Sequence, residues 1–128
     1  MADTEKITIN MSAVDLGRVD LLVGEGFYSN RTDFIRTAIR KELDGHADVV
    51  KQTVARRRSV LGVMVYGRKA LKSCRKKGDM LDIRVVGAVY LQDDVTPDLA
   101  LETIRSLKVY GVLRASPALK EALGDRIL

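Results

Sequence analysis

The chain has 128 residues, 46% of them hydrophobic and 30% charged, with 22 Lys+Arg against 17 Asp+Glu. That length and apolar content suit one ordinary globular domain or two small ones, and they exclude a disordered or collagen-like chain. A single His and a single Cys leave nothing from which to build a Cys cluster, a His-rich metal site or a Ser/His/Asp arrangement, so no enzyme, no metal and no other cofactor is expected.

Cys74 can form no internal disulfide, and the opening MADTEKITIN carries no apolar signal-peptide core. A reducing cytoplasm is the expected compartment. The longest apolar runs, such as VLGVMVY at 60–66, fall far short of the ~20 residues that span a bilayer. No membrane partner is expected.

In KITINMS, residues 6–12, Ile7, Ile9 and Met11 alternate with Lys6, Thr8 and Asn10, which predicts a half-buried strand. Ser12 then opens a helix, with Asp15 three residues on and Leu16, Val19 and Val23 at helical spacing; Gly24 and Gly26 end it. Asn30, followed by Asp33, starts a second helix with the apolar stripe Phe34, Ile35, Ala38, Ile39 and Leu43. A lone strand has unpaired backbone groups on both edges and is stable only beside another chain, so this order implies an obligate homodimer.

KITINMS, a short helix and then GFYSNRTDFIRTAIRKEL resembles the ribbon-helix-helix family of bacterial DNA-binding repressors, over residues 6 to about 45. The resemblance implies that two strands, one per subunit, pair antiparallel into a ribbon that enters the major groove of double-stranded DNA. It implies base reading by Lys6, Thr8 and Asn10, and their chemistry suits that task. Lys donates to guanine O6 and N7, Asn makes paired bonds to adenine, and Thr offers a hydroxyl and a methyl. It also places Ser29, Asn30 and Arg31 at a phosphate clamp, where free N–H groups at a helix start meet an anion.

The charge is uneven. Residues 1–46 carry a net −2, residues 47–78 a net +9, and residues 79–128 again −2. The basic segment holds Lys51, the run Arg56, Arg57 and Arg58, and six more Lys and Arg between Arg68 and Lys77. Its two readings are a phosphate-binding surface, with Arg56, Arg57 and Arg58 as the contacts, and a solvated helical face. Helical spacing continues from Leu43 through Ala47, Val50 and Val54, with Gly45 as a weak point. His46, with no second His and no nearby Cys, reads as a surface or capping residue, which argues against nickel sensing.

After residue 59 the chain changes character. VLGVMVY at 60–66, VVGAVYL at 85–91 and VYGVLRA at 109–115 share Val-x-Gly-x-x, with Gly62, Gly87 and Gly111 separated by 25 and 24 residues. Each run predicts a short buried strand, followed by helices over Arg68 to Lys77, Pro97 to Leu107 and Pro117 to Gly124. Thr96-Pro97 and Ser116-Pro117 are cap-plus-first-turn signals. Three βα units predict a small parallel sheet in a solenoid-like stack. The recurring glycine marks close packing within the sheet or an assembly surface at its open edges. Cys74 reads as a half-buried helix residue, with a redox sensor as the alternative.

The expected fold class is α+β. Residues 1–46 form a ribbon-helix-helix dimerisation and DNA-binding domain, 47–58 a basic helical connector, and 59–128 a βα-repeat module with a short parallel sheet, for oligomerisation or signal reception. The expected function is a sequence-specific, DNA-binding transcriptional repressor at the nucleoid, a homodimer through its ribbon and a tetramer or larger where residues 59–128 assemble. Two alternatives stand beside it: an architectural or filament-forming DNA-binding protein, and the antitoxin of a toxin pair. The ordered pattern of the C-terminal half argues against the antitoxin, whose toxin-binding tail is usually disordered before binding.

Overall fold

The computed structural model describes residues 4–128, so the first three residues of the expected 1–46 domain lie outside it. The chain is α+β, with six α-helices and one three-stranded parallel sheet among the described residues. It divides into two compact units, the first ending at Asp48 and the second spanning Val49–Leu128.

In the first unit, residues 4–12 join no helix or strand of the chain. Ser12 Oγ accepts the Asp15 N–H at 3.1 Å and starts α1, Ala13–Gly24. Gly26, at φ +86°, turns the chain out of it, and its N–H donates to Val23 O at 3.0 Å. Asn30 caps α2, Arg31–Gly45, which ends at His46, where Nε2 lies 3.3 Å from Glu42 Oε1. Tyr28 and Phe34 pack edge to face, 5.0 Å between ring centroids. Val19, 4% exposed, is the one buried apolar residue among the described residues of this unit.

The second unit contains most of α3, Ala47–Arg56, and then alternates strand and helix: β1 Val60–Tyr66, α4 Arg68–Lys76, β2 Leu81–Leu91, α5 Pro97–Thr103, β3 Ile104–Arg114 and α6 Pro117–Leu123. The strands are parallel in the order β1-β2-β3. Leu71 of α4, Leu99 of α5, and Leu119 and Leu123 of α6 are buried in one cluster with Ile83, Val85, Val89 and Leu91 of β2 and Ile104 and Leu107 of β3. Thr96 and Ser116 accept the N–H groups of Leu99 and Leu119, each at 3.2 Å, and the prolines that follow them need no such partner. Cys74 is half-buried, its Sγ 3.5 Å from Asp79 O.

Two expectations need correction. The helix expected over Pro97 to Leu107 stops at Thr103, because Ile104–Leu107 belong to β3. There the Ser106 hydroxyl donates to Asp82 Oδ1 at 2.7 Å and Arg105 pairs with Asp82 at 3.2 Å, which fastens the early part of β3 to β2. The strands at 60–66 and 109–115 are not buried: no residue of 109–115 is fully buried, and in the first strand Met64 and Tyr66 meet the core whereas Leu61 on the opposite face is 66% exposed. β1 thus packs one face on the core and leaves the face of Leu61, Val63 and Val65 open.

The glycine spacing acquires a physical cause here. Gly62, Gly87 and Gly111 stand on one rung, with φ of +146°, +139° and +126°. A Cβ on Gly87 would collide with the Gly62 carbonyl, and one on Gly111 with the Gly87 carbonyl. At these two positions the column is backbone packing within the sheet.

Candidate nucleic-acid interface

Lys6, Thr8 and Asn10 are exposed and make no hydrogen bond or ion pair among the described residues. Their alternates are exposed as well, Ile7 by 74% and Ile9 by 60%, with Met11 lining a shallow groove beside Val19, Leu22 and Phe34. The segment thus offers free polar donors and acceptors at every second residue, and an apolar face with nothing of its own chain to cover it.

Ser29, Asn30 and Arg31 converge at the start of α2. Asn30 Oδ1 accepts the Asp33 N–H at 2.8 Å, and Asp33 reaches back to accept the Ser29 N–H at 3.0 Å. This reciprocal capping leaves the N–H groups of Arg31 and Thr32 without an acceptor among the described residues, and those groups point toward the positive end of the helix dipole. The Arg31 side chain is committed elsewhere. Its Nε and Nη2 donate to the two oxygens of Asp20 on α1, each at 2.8 Å. The hydrogen bond to Arg31 holds the Asp20 carboxyl below its usual range, and Arg31 is raised in turn. The pair is exposed, so it is a weak clasp between α1 and α2 that a phosphate can replace.

The three arginines at 56–58 do not share one environment. Arg57 Nη1 donates to Tyr110 Oη at 2.6 Å, while Arg58 ends the helical segment at φ +52°. Arg56 and Arg57 line an open groove together with Arg84 of β2 and Lys108 of β3. Arg84 and Lys108 are register partners on adjacent strands, with Lys108 Nζ also 3.5 Å from Leu128 O and 4.9 Å from the Tyr110 ring centroid. Sequence reasoning missed both. The available signal was their place in the repeat, since each lies three residues before its glycine, Gly87 or Gly111. Replacing Arg56, Arg57 and Arg58 with Ala should weaken binding to every DNA sequence about equally and flatten the salt dependence by up to about three contacts. An unchanged slope in a salt titration would assign the run to a solvated face.

The chain matches the Ribbon-Helix-Helix transcriptional regulator family over residues 2–120. It belongs to that family. No curated protein and no solved structure matches it. The ribbon-helix-helix match runs far beyond the N-terminal third that carries the resemblance in sequence, and it takes in all three strands of the parallel sheet. No helix among the described residues is long and apolar enough to cross a membrane. Among the same residues there is no group of three or more His, Cys, Asp and Glu side chains that could hold a metal ion.

Proposed function

We propose that the chain is a sequence-specific, DNA-binding repressor. It dimerises by pairing residues 6–12 of two copies into a ribbon, and the ribbon reads the major groove through Lys6, Thr8 and Asn10. The observation that carries this reading is the two-sided segment itself. Its polar alternates are free, and its apolar alternates lie open in a unit that buries only Val19 among its described apolar residues. A second copy laid against Ile7, Ile9 and Met11 supplies both the missing backbone partners and the missing core. The helix start at Ser29, Asn30 and Arg31 then holds a phosphate on its free N–H groups, with Arg31 exchanging Asp20 for the phosphate oxygens. Arg56, Arg57 and Arg58, with Arg84 and Lys108 beside the first two, add phosphate contacts that carry no sequence information. Residues 59–128 serve as the assembly module.

Asn10→Ala tests base reading. It should relax the preference at one base pair by about 1–3 kcal/mol, as read by competition binding against operator variants, with the fold intact. A folded variant of unchanged specificity would remove Asn10 from the reading face.

A further inference from the structure

The two edges of the parallel sheet are unlike. β1 reads VLGVMVY, with no charge and no proline, and its Leu61, Val63 and Val65 are exposed. Folded proteins usually guard such an edge with a lysine, a proline, a bulge or a covering segment. Among the described residues no strand pairs with β1 on the side away from β2. The outer edge of β3 is covered at one point, where Ile127 bridges to Leu107 in parallel and the Leu128 N–H donates to Leu107 O at 2.9 Å. From Val109 onward no further strand lies on it among the described residues.

The rungs of the sheet repeat from strand to strand. Val60, Val85 and Val109 share one rung, Gly62, Gly87 and Gly111 another, and Val63, Ala88 and Val112 the next. Each step fills the space of an absent Cβ with the carbonyl of the previous glycine. Gly62 has the same left-handed backbone, but the space where its Cβ would stand is empty. Gly111 ends the column, and among the described residues no further strand of the sheet brings a glycine to its carbonyl. Strand lengths complete the match. β1 has 7 residues where β2 and β3 have 11, and it pairs with β2 only from Val85 on. The rungs that β1 lacks are those where the chain's own C-terminal residues lie against β3, at Leu107.

We propose that a second copy of this chain covers this edge. Its β3 adds in parallel to β1, with Gly111 of one copy beside Gly62 of the next, so that the C-terminal units stack head to tail. The contact joins two different surfaces and therefore propagates. A two-fold pairing of β1 with β1 would be antiparallel and would discard the glycine rung. The inference deepens the assembly role given to residues 59–128 and does not depend on base reading: Asn10→Ala should change DNA preference and leave the assembly untouched.

Sedimentation of the full chain without DNA, over a range of concentrations, tests it. Wild type should grow beyond a dimer as concentration rises. Val63→Lys blocks the receiving edge and Val112→Lys the donating edge, and each should raise the concentration needed for growth by about tenfold or more. An equal mixture of the two variants should form mixed complexes that neither variant forms alone, because β3 of the Val63→Lys chain can still add to β1 of the Val112→Lys chain. Circular dichroism checks that both stay folded, and Val65→Lys replaces Val63→Lys should that variant unfold. Wild type that never exceeds a dimer overturns the proposal. So does a pair of variants that both assemble like wild type. A Val112→Lys variant that assembles normally while Val63→Lys does not, with no rescue on mixing, replaces the head-to-tail contact with a two-fold one.

Discussion

Gly87→Ala should cost the second unit about 1–3 kcal/mol more than Gly62→Ala, which itself should cost about 1–3 kcal/mol. Both substitutions force a side chain onto a backbone with φ near +140°, where L residues carry strain of roughly 1–3 kcal/mol. Only at Gly87 does the new methyl also meet the Gly62 carbonyl, which is backbone held in the ladder and cannot swing aside. Separating the strands to admit it would loosen the rungs on both sides, an overpacking cost of roughly 1–3 kcal/mol more. Small domains hold about 5–15 kcal/mol in total, so the first change removes a large share of it. Urea unfolding followed by circular dichroism, below the concentration of assembly, measures the difference. Equal losses at the two sites would show that close approach of the strands is not what requires glycine at Gly87.

Much of this architecture is legible in the sequence because it is local. Ser12, Asn30, Thr96 and Ser116 each cap a helix within three residues, so their signals survive without tertiary context. The glycine spacing likewise exposes the three strands. What it cannot show is the backbone: Val-x-Gly-x-x reads as missing side chains, whereas the structure makes it a rung of positive-φ glycines inside continuous strands. The end of α5 is hidden for a different reason. Leu101 to Leu107 mixes apolar and polar residues in a way that a buried helix and a buried strand both satisfy, and the decision falls to Asp82, a partner some twenty residues away.

The candidate site was legible in kind more than in arrangement. Parity alone separates Lys6, Thr8 and Asn10 from Ile7, Ile9 and Met11. The commitment of Arg31 to Asp20 joins residues on two helices and leaves no mark in sequence. It also gives Arg31 a second use, since the guanidinium that would hold a phosphate already has its fork aimed at two oxygens. The basic groove follows the same rule. Arg56 and Arg57 are visible as a run, but Arg84 and Lys108 join them only because parallel strands bring matching repeat positions side by side.

Ile9→Asp should abolish both the dimer and DNA binding, whereas Thr8→Asp should abolish DNA binding alone. Ile9 lies open in the single chain, and the unit around it buries too little apolar surface to hold a fold by itself. In the proposed ribbon each copy would turn Ile9 into the shared core, so one substitution would place two carboxylates there, each at a cost of several kcal/mol unless it takes up a proton. That exceeds what a small dimer can absorb. Thr8 faces the other way; a carboxylate there stays in water in the free dimer and repels phosphate only when DNA approaches. Both variants are best made in the Val63→Lys chain, so that stacking of the C-terminal units does not mask loss of the ribbon. Sedimentation should then find Ile9→Asp as a monomer and Thr8→Asp as a dimer, with neither shifting operator DNA in a binding assay. A dimeric, DNA-binding Ile9→Asp would invert the two faces of the segment and pass the reading of bases to the odd-numbered residues.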